Sequence, residues 1–339
     1  MRIALILFFA CLTLSVFAAR TDKLTMLNGD EITGEIKGLS KGILTFKTDD
    51  AGTLSVKWTA VASIVSTNIF EVRTNSGDLF TGPLTVPTKS RMLAIQSDKG
   101  PVEITYKNVV IIHPFDKRFW GRLDGSVSLG MSFVNATEVF SLTGAFNSVY
   151  HVPKTSFNIN ANSVLSRTGS DSVFNKKQDL LLGNQYFFKR KWFSQVQAGV
   201  QQNTQLGIQL RIIAALAGGY KVVQSNTDLL TTAIGLAGNR EYATDSDEAR
   251  NNLEGLINIS YERFVHITPK MKINTTLVVF PSLSDPGRVR VNYDLTASFE
   301  LISDFTIALT FYDNFDNRPP STSNAKNDYS VSVTFGYTW

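Results

Sequence analysis

The 339-residue chain has three histidines, His113, His151 and His266, and one cysteine, Cys11. Histidine supplies general bases and metal ligands; a cysteine thiolate supplies a nucleophile or a ligand. The three histidines are not spaced as metal ligands. His113 closes a run of predicted strands, and His151 and His266 fall in predicted turns of the inner side. A hydrolase on a sheet rim needs His and Ser on adjacent strands with an acidic or amide orienter. All three histidines lie away from the outer rim where such chemistry would work. Glu241, Asp245, Asp247 and Glu248 offer carboxylates for a protease, but their spacing is that of a solvated loop. No glycine-rich phosphate loop is present. The expectation is a protein that is not an enzyme and needs no cofactor and no metal.

The remaining constellation is a set of charges inside strand-like segments: Arg122, Asp124, Asp179, Arg211, Glu254, Glu262, Lys270, Lys272, Arg288, Arg290, Asp294 and Glu300. Six of them, Arg211, Glu254, Arg288, Arg290, Asp294 and Glu300, are the candidate lumen-facing residues. Both signs occur in similar number, so they suit either a selective solute pathway or a paired network filling a narrow interior. Arg211, Glu254, Arg290 and Asp294 are the first to mutate.

The elements that position these charges alternate strictly. In residues 288–302, Val289, Val291, Tyr293, Leu295, Ala297, Phe299 and Leu301 share one face. Arg288, Arg290, Asn292, Asp294, Thr296, Ser298 and Glu300 share the other. A lipid-facing Arg or Lys near the bilayer midplane costs roughly 2–4 kcal/mol, so these charges must face a wet or protein-filled interior. The chain ends on the same rhythm. From Tyr329 to Trp339 every odd residue is aromatic or Val and every even one is Ser, Thr or Gly.

From Phe119 onward the chain divides into twelve such segments: 120–133, 136–149, 154–167, 176–188, 191–202, 207–222, 227–239, 251–264, 269–281, 288–302, 304–316 and 327–339. Links between them alternate long and short, apart from a very short first outer link near Asn135. Aromatics such as Trp120, Trp192, Tyr220 and Phe264 fall near segment ends, as interfacial girdles require. An even count with both ends on the short-turn side suits a bacterial outer-membrane barrel.

The amino terminus agrees. Arg2 precedes an apolar run, Ile3 to Phe17, and Val16-Phe17-Ala18 offers a cut after Ala18, which reads as a signal peptide over residues 1–18. Cys11 lies in that run, so the exported chain has no thiol and no disulfide. No later stretch approaches the roughly 18 apolar residues of a spanning helix. The net charge of +4 is dispersed, which argues against nucleic acid as a partner.

Residues 19–117 have a different texture. Leu24-Thr-Met-Leu-Asn-Gly-Asp30-Glu-Ile-Thr-Gly34 returns as Val72-Arg-Thr-Asn-Ser-Gly-Asp78-Leu-Phe-Thr-Gly82, and Trp58 and Val61 return as Tyr106 and Val109. The two copies, 19–68 and 69–117, each resemble a small SH3-like or Sm-like barrel. Exported, they suit contact with a periplasmic protein or cell-wall partner, or a spacer. Pro114 to Lys117 is the expected joint.

Residues 120–339 resemble the YdiY-like family, domain of unknown function 481, described as salt-induced outer-membrane proteins. The resemblance rests on the order of Val127 to Phe133, Leu210-Arg211, Gly218-Gly219-Tyr220, Arg240-Glu241, Phe280 to Leu283, Tyr312-Asp313, Arg318-Pro319-Pro320 and Asn327-Asp328-Tyr329. Val134 to Thr137 departs from the Gly-Asn-Thr expected there. Together with the twelve segments and the amino-terminal repeat, the resemblance implies an all-β fold: a 12-stranded antiparallel transmembrane β-barrel preceded by a periplasmic domain of two SH3-like repeats. The expected location is the outer membrane, with its lipid and its assembly machinery as partners. Two functions compete, a narrow solute or ion channel or envelope stress-adaptation protein on one side and a non-conducting anchor or adaptor on the other. An outer-membrane hydrolase ranks behind both. Phe335, Tyr337 and Trp339 resemble the terminal aromatic signal that the assembly machinery reads.

Overall fold

The computed structural model describes residues 21–339 apart from 99, 116–118, 120–121, 135–137, 153, 170–174, 246–247, 268–269, 303–304, 320–325, 338–339 and the side chains of 189 and 302. The proposed signal peptide, Trp120, the link at Asn135, Asp247 and Trp339 therefore lie outside the described residues. Among the described residues the strands form two antiparallel sheets, of nine and twelve strands.

The first sheet comprises β1 (Asp22–Met26), β2 (Glu31–Ser40), β3 (Ile43–Lys47), β4 (Thr53–Lys57), β5 (Val61–Thr74), β6 (Leu79–Thr85), β7 (Met92–Ser97), β8 (Gly100–Thr105) and β9 (Val109–Pro114). The sequence repeat is a repeat of pairings. Leu24↔Ile32 between β1 and β2 recurs as Val72↔Phe80 between β5 and β6. Leu24↔Ile64 between β1 and β5 recurs as Val72↔Ile112 between β5 and β9. β5 therefore serves both copies, ending the first and opening the second. Farther along the register slips by one: Ile36↔Phe46 corresponds to Leu84↔Ile95. The turns after β1 and within the second copy need positive φ at Gly29 (92°) and Gly77 (87°), which glycine adopts without strain. Alternating apolar residues from both copies, including Leu24, Phe46, Trp58, Phe70, Leu93 and Tyr106, form one shared core.

The second sheet is an up-and-down meander in chain order. It comprises β10 (Leu123–Val134), β11 (Val139–Val152), β12 (Thr155–Thr168), β13 (Asn175–Lys189), β14 (Trp192–Asn203), β15 (Ile208–Gln224), β16 (Asp228–Ala243), β17 (Ala249–Val265), β18 (Met271–Pro281), β19 (Val289–Ile302), β20 (Phe305–Asp316) and β21 (Asn327–Tyr337). Each of the twelve expected segments overlaps one strand. Two local expectations are corrected. His151 is not in a turn but in β11, paired with Ser156 of β12. Arg240 and Glu241 are not in a loop, because β16 runs on to Ala243.

One face of this sheet is apolar and exposed. Val127, Leu129, Met131 and Phe133 on β10, Leu216 on β15, Ile234 and Leu236 on β16 and Val331, Val333 and Phe335 on β21 all point outward. The other face carries the buried charges, Arg211, Glu241, Glu254 and Arg290 among them, while Arg240 shares the outward register of Ile234 and Leu236 near a strand end. The sheet curls far enough for Lys177 on β13 to meet Asp328 on β21, 3.2 Å away, with its ammonium 4.1 Å from the centre of the Tyr312 ring on β20. The free edges are β10 and β21; among the described residues neither pairs with the other. Inside the curl, Phe193 is buried over Gly219, its cross-strand partner. A Cβ on that glycine would lie 2.2 Å from the Phe193 ring.

The first sheet sits against the short-turn end of the second. Lys41 pairs with Glu262, and its carbonyl oxygen meets His266 Nε2 at 2.7 Å. Asn226 Nδ2 donates to the Val109 carbonyl at 2.8 Å. Gly77 packs so closely on the Arg190 backbone that a Cβ there would lie 2.4 Å from the carbonyl carbon. Three short turns, after β13, β15 and β17, thus form the seat.

Candidate functional site

At the end of the second sheet remote from this seat, five strands aim charged side chains at one another. β15 supplies Arg211, β16 Asn239 and Glu241, β17 Asn252 and Glu254, and β20 Asp316. Arg290 comes from β19 and Arg288 from the residue just before it. Arg211 Nε donates to Glu241 Oε1 at 2.7 Å. Arg288 bridges, reaching Glu241 Oε2 at 3.1 Å and Asp316 Oδ2 at 2.6 Å. Arg290 makes a two-pronged pair with Glu254, at 2.8 and 2.5 Å, with its guanidinium 4.6 Å from the centre of the Phe280 ring. Asn239 donates to Glu254 at 2.8 Å and accepts from Asn252 at 2.9 Å.

Glu254 is 0 % exposed, and Glu241 and Arg288 are each 1 % exposed. Withdrawing charges from water is unfavourable unless each is paired and hydrogen-bonded. Three arginines face three carboxylates here, so the cluster is neutral as a whole and ties β15, β16, β17, β19 and β20 together. Beside it lies a cavity of about 150 Å³ lined in part by Lys177, Asp179, Arg211, Arg290 and Asp316. This arrangement has the chemistry of a cross-brace of fixed charge.

Four of the six candidate lumen residues, Arg211, Glu254, Arg288 and Arg290, are brought together in this cluster. Glu300 lies toward the opposite end, accepting from Lys270 Nζ at 3.0 Å. Asp294 shares the charged face of β19 but is exposed, outside the cluster. Among the wider candidates, Glu262 holds Lys41 of the first sheet, Asp179 accepts from Asn162 at 3.0 Å and Lys272 is exposed. Phe335 and Tyr337 are exposed on the outer face of β21, and Trp339 lies outside the described residues. Glu241 and Asp316, two hubs of the cluster, are additions. In the sequence Glu241 continues the period-two row of Ala237 and Asn239, and in the structure burial at every second residue of β16 follows that row through Ala243.

A second grouping lies at the seat, around a cavity of about 420 Å³. His113 of β9 and His151 of β11, 38 positions apart in the chain, stack with ring centres 4.7 Å apart. The sequence did not bring them together; the docking of the two sheets does. His151 Nε2 lies 3.6 Å from Asp124. Burial, and then the neighbouring His151, push the His113 pKa down to about 4, with Asp124 acting in the other direction. Burial also raises the Glu71 carboxyl, against the pull of Arg73.

These features define an all-β protein with a twelve-stranded, two-faced sheet whose inner face is cross-braced by charge and whose short-turn end carries a second sheet. The chain belongs to the family described as "Protein of unknown function, DUF481", whose model matches residues 127–339. No curated protein and no solved structure matches it.

Proposed function

We propose that the protein is an integral outer-membrane β-barrel protein of the cell envelope. Residues 1–18 direct export, 19–117 form a periplasmic pair of SH3-like units, and 118–339 form the barrel. The observation that carries this reading is the two-sidedness of the second sheet. Contiguous exposed apolar side chains on one face are tolerated where lipid covers them, and charges then belong to the lumen. Lipid leaves no place for open sheet edges, so insertion brings β21 against β10. The test is outer-membrane fractionation with heat-modifiable migration on a gel. Recovery of the protein in the soluble fraction, without a heat-dependent shift, refutes it.

Within the envelope the barrel acts as an anchor that mounts the first sheet toward a periplasmic protein or cell-wall partner, without catalysis. The cross-brace at one end and the seated first sheet at the other support this over an open pore. A narrow solute or ion channel is the second reading, favoured by the exposed Asp294 on the charged face. Planar-bilayer recordings separate the two. Steady conductance steps that change in Asp294→Asn support the channel, and silence supports the anchor.

A further inference from the structure

The cavity at the seat, about 420 Å³, falls within the size range of small-molecule sites. Phe187 of β13 lines it. The Arg73 guanidinium, from β5, lies 4.6 Å from the centre of the Phe187 ring, and the Lys221 ammonium, from β15, lies 4.5 Å from it. Two cations from different sheets thus share one aromatic ring. Ring attraction offsets part of their desolvation but leaves both charges in place. Among the described residues neither cation makes an ion pair at contact distance; Glu71 acts on Arg73 only through space. Elsewhere on the wall, Lys37 pairs with Glu35 at 2.6 Å and Asp124 already faces His151. Two cations that share one ring without a contact ion pair, in a partly dry space, create a demand for an anion.

We propose that this cavity binds a small oxyanion, a phosphate or carboxylate group, between Arg73 and Lys221. The anion joins the two sheets, because one cation comes from each. Ile111, Phe115 and Val152 on the same wall accommodate a short apolar portion behind the charged head. The site rests on the seating of the two sheets and is independent of conduction.

The experiment is calorimetric titration of the full chain, refolded in detergent, with inorganic phosphate and separately with citrate at low salt. Saturable binding that weakens with added salt is expected. Arg73→Gln and Lys221→Gln should each weaken it by about tenfold or more, as expected for the loss of one charge-assisted hydrogen bond, while Lys221→Arg retains it. Limited proteolysis of each variant reads whether the first sheet remains seated. A third titration, with phosphatidylglycerol in mixed micelles, tests a lipid headgroup as the source of the oxyanion; saturation there alone overturns the small-solute site. No binding of either free anion by the wild-type chain overturns the proposal. So does equal binding by wild type and the Arg73→Gln/Lys221→Gln chain when both show the same proteolytic pattern. Heat-modifiability is unaffected in every case, so failure here leaves the membrane reading standing.

Discussion

Trp58 and Tyr106 stack on one another, ring centres 4.1 Å apart and planes 23° from parallel, and the Trp58 indole N–H donates to the Tyr106 carbonyl at 2.9 Å. They occupy the same place in the two copies of the repeat, each opening a 3-10 turn just before a strand. A residue that packs on its own repeat mate puts the joint between copies at the centre of the core. Together with the shared strand β5, this explains why a unit of roughly 45 residues, too small to bury an adequate core, occurs as a pair.

Trp58→Ala should destabilise the first sheet by about 3–5 kcal/mol, the usual consequence of emptying a buried indole site. Trp58→Phe keeps a ring in the stack and loses the N–H bond, so its effect should be far smaller, about 1 kcal/mol beyond the change in volume. Hydrogen exchange of β5 amides in the full chain measures both. Equal effects from the two substitutions would show that the hydrogen bond, and not the stack, holds the joint.

The charged cross-brace predicts a sharp asymmetry. Glu241→Gln leaves Arg211 and Arg288 buried without their common carboxylate, and should destabilise the second sheet by about 3–5 kcal/mol. Replacing a whole pair, Glu254→Leu with Arg290→Met, removes both charges together and should come much closer to wild type than Glu254→Leu alone. The temperature at which the folded gel band disappears reports the order. Indifference of that temperature to Glu241→Gln would mean the cluster braces nothing.

Phe193 over Gly219 makes a steric prediction. A Cβ at Gly219 would fall inside the Phe193 ring contact at 2.2 Å, and Phe193 is almost fully buried. Gly219→Ala should therefore lower refolding yield or cost about 1–3 kcal/mol through overpacking. Phe193→Leu in the same chain should recover part of the loss. Additive losses in the double variant would deny that the two residues compete for one space.

What was legible beforehand follows from the length of the interactions involved. The twelve strands, their faces and the repeat rest on period-two patterning and turn residues, both of which are local. β16 runs past its apolar stretch because Glu241 continues the inward face of Ala237 and Asn239, whereas Arg240 falls on the outward face of Ile234 and Leu236 and imitates the start of a loop. The company that Glu241 keeps, Arg211 at 30 positions and Arg288 at 47, depends on how the sheet curls. The meeting of His113 with His151, and of Arg73 with Phe187, depends on one sheet docking on another, which no periodicity encodes.

His113 makes stability depend on pH. Its pKa is held near 4 in the folded protein and lies at 6.5 when unperturbed. As pH falls from 6.5 toward 4 the unfolded chain takes up a proton that the folded chain refuses, so stability falls. Above 6.5 both states are neutral and the contribution vanishes. The full interval corresponds to roughly 3 kcal/mol. Glu71, raised by burial, titrates in the opposite sense, so wild type must be compared with His113→Gln. Urea unfolding of the full chain at pH 7.5 and 4.5 should show a larger acid loss in wild type than in the variant. Equal losses would assign the acid sensitivity elsewhere.

The carboxyl-terminal strand gives the last prediction. Phe335 and Tyr337 are exposed on the outer face of β21 and belong to neither buried apolar cluster. Their removal should change intrinsic stability little, within about 0.5 kcal/mol, as is usual for exposed positions. If they form an assembly signal, the same substitutions must still deplete the protein from the outer membrane. Phe335→Ala and deletion of Trp339 should therefore refold normally in detergent yet accumulate poorly in the membrane fraction of cells. Loss in both settings would instead make the strand an ordinary structural element. Normal membrane levels would leave the terminal aromatics without a role in assembly, and the edge that β21 presents to β10 would then have to be found by the backbone alone.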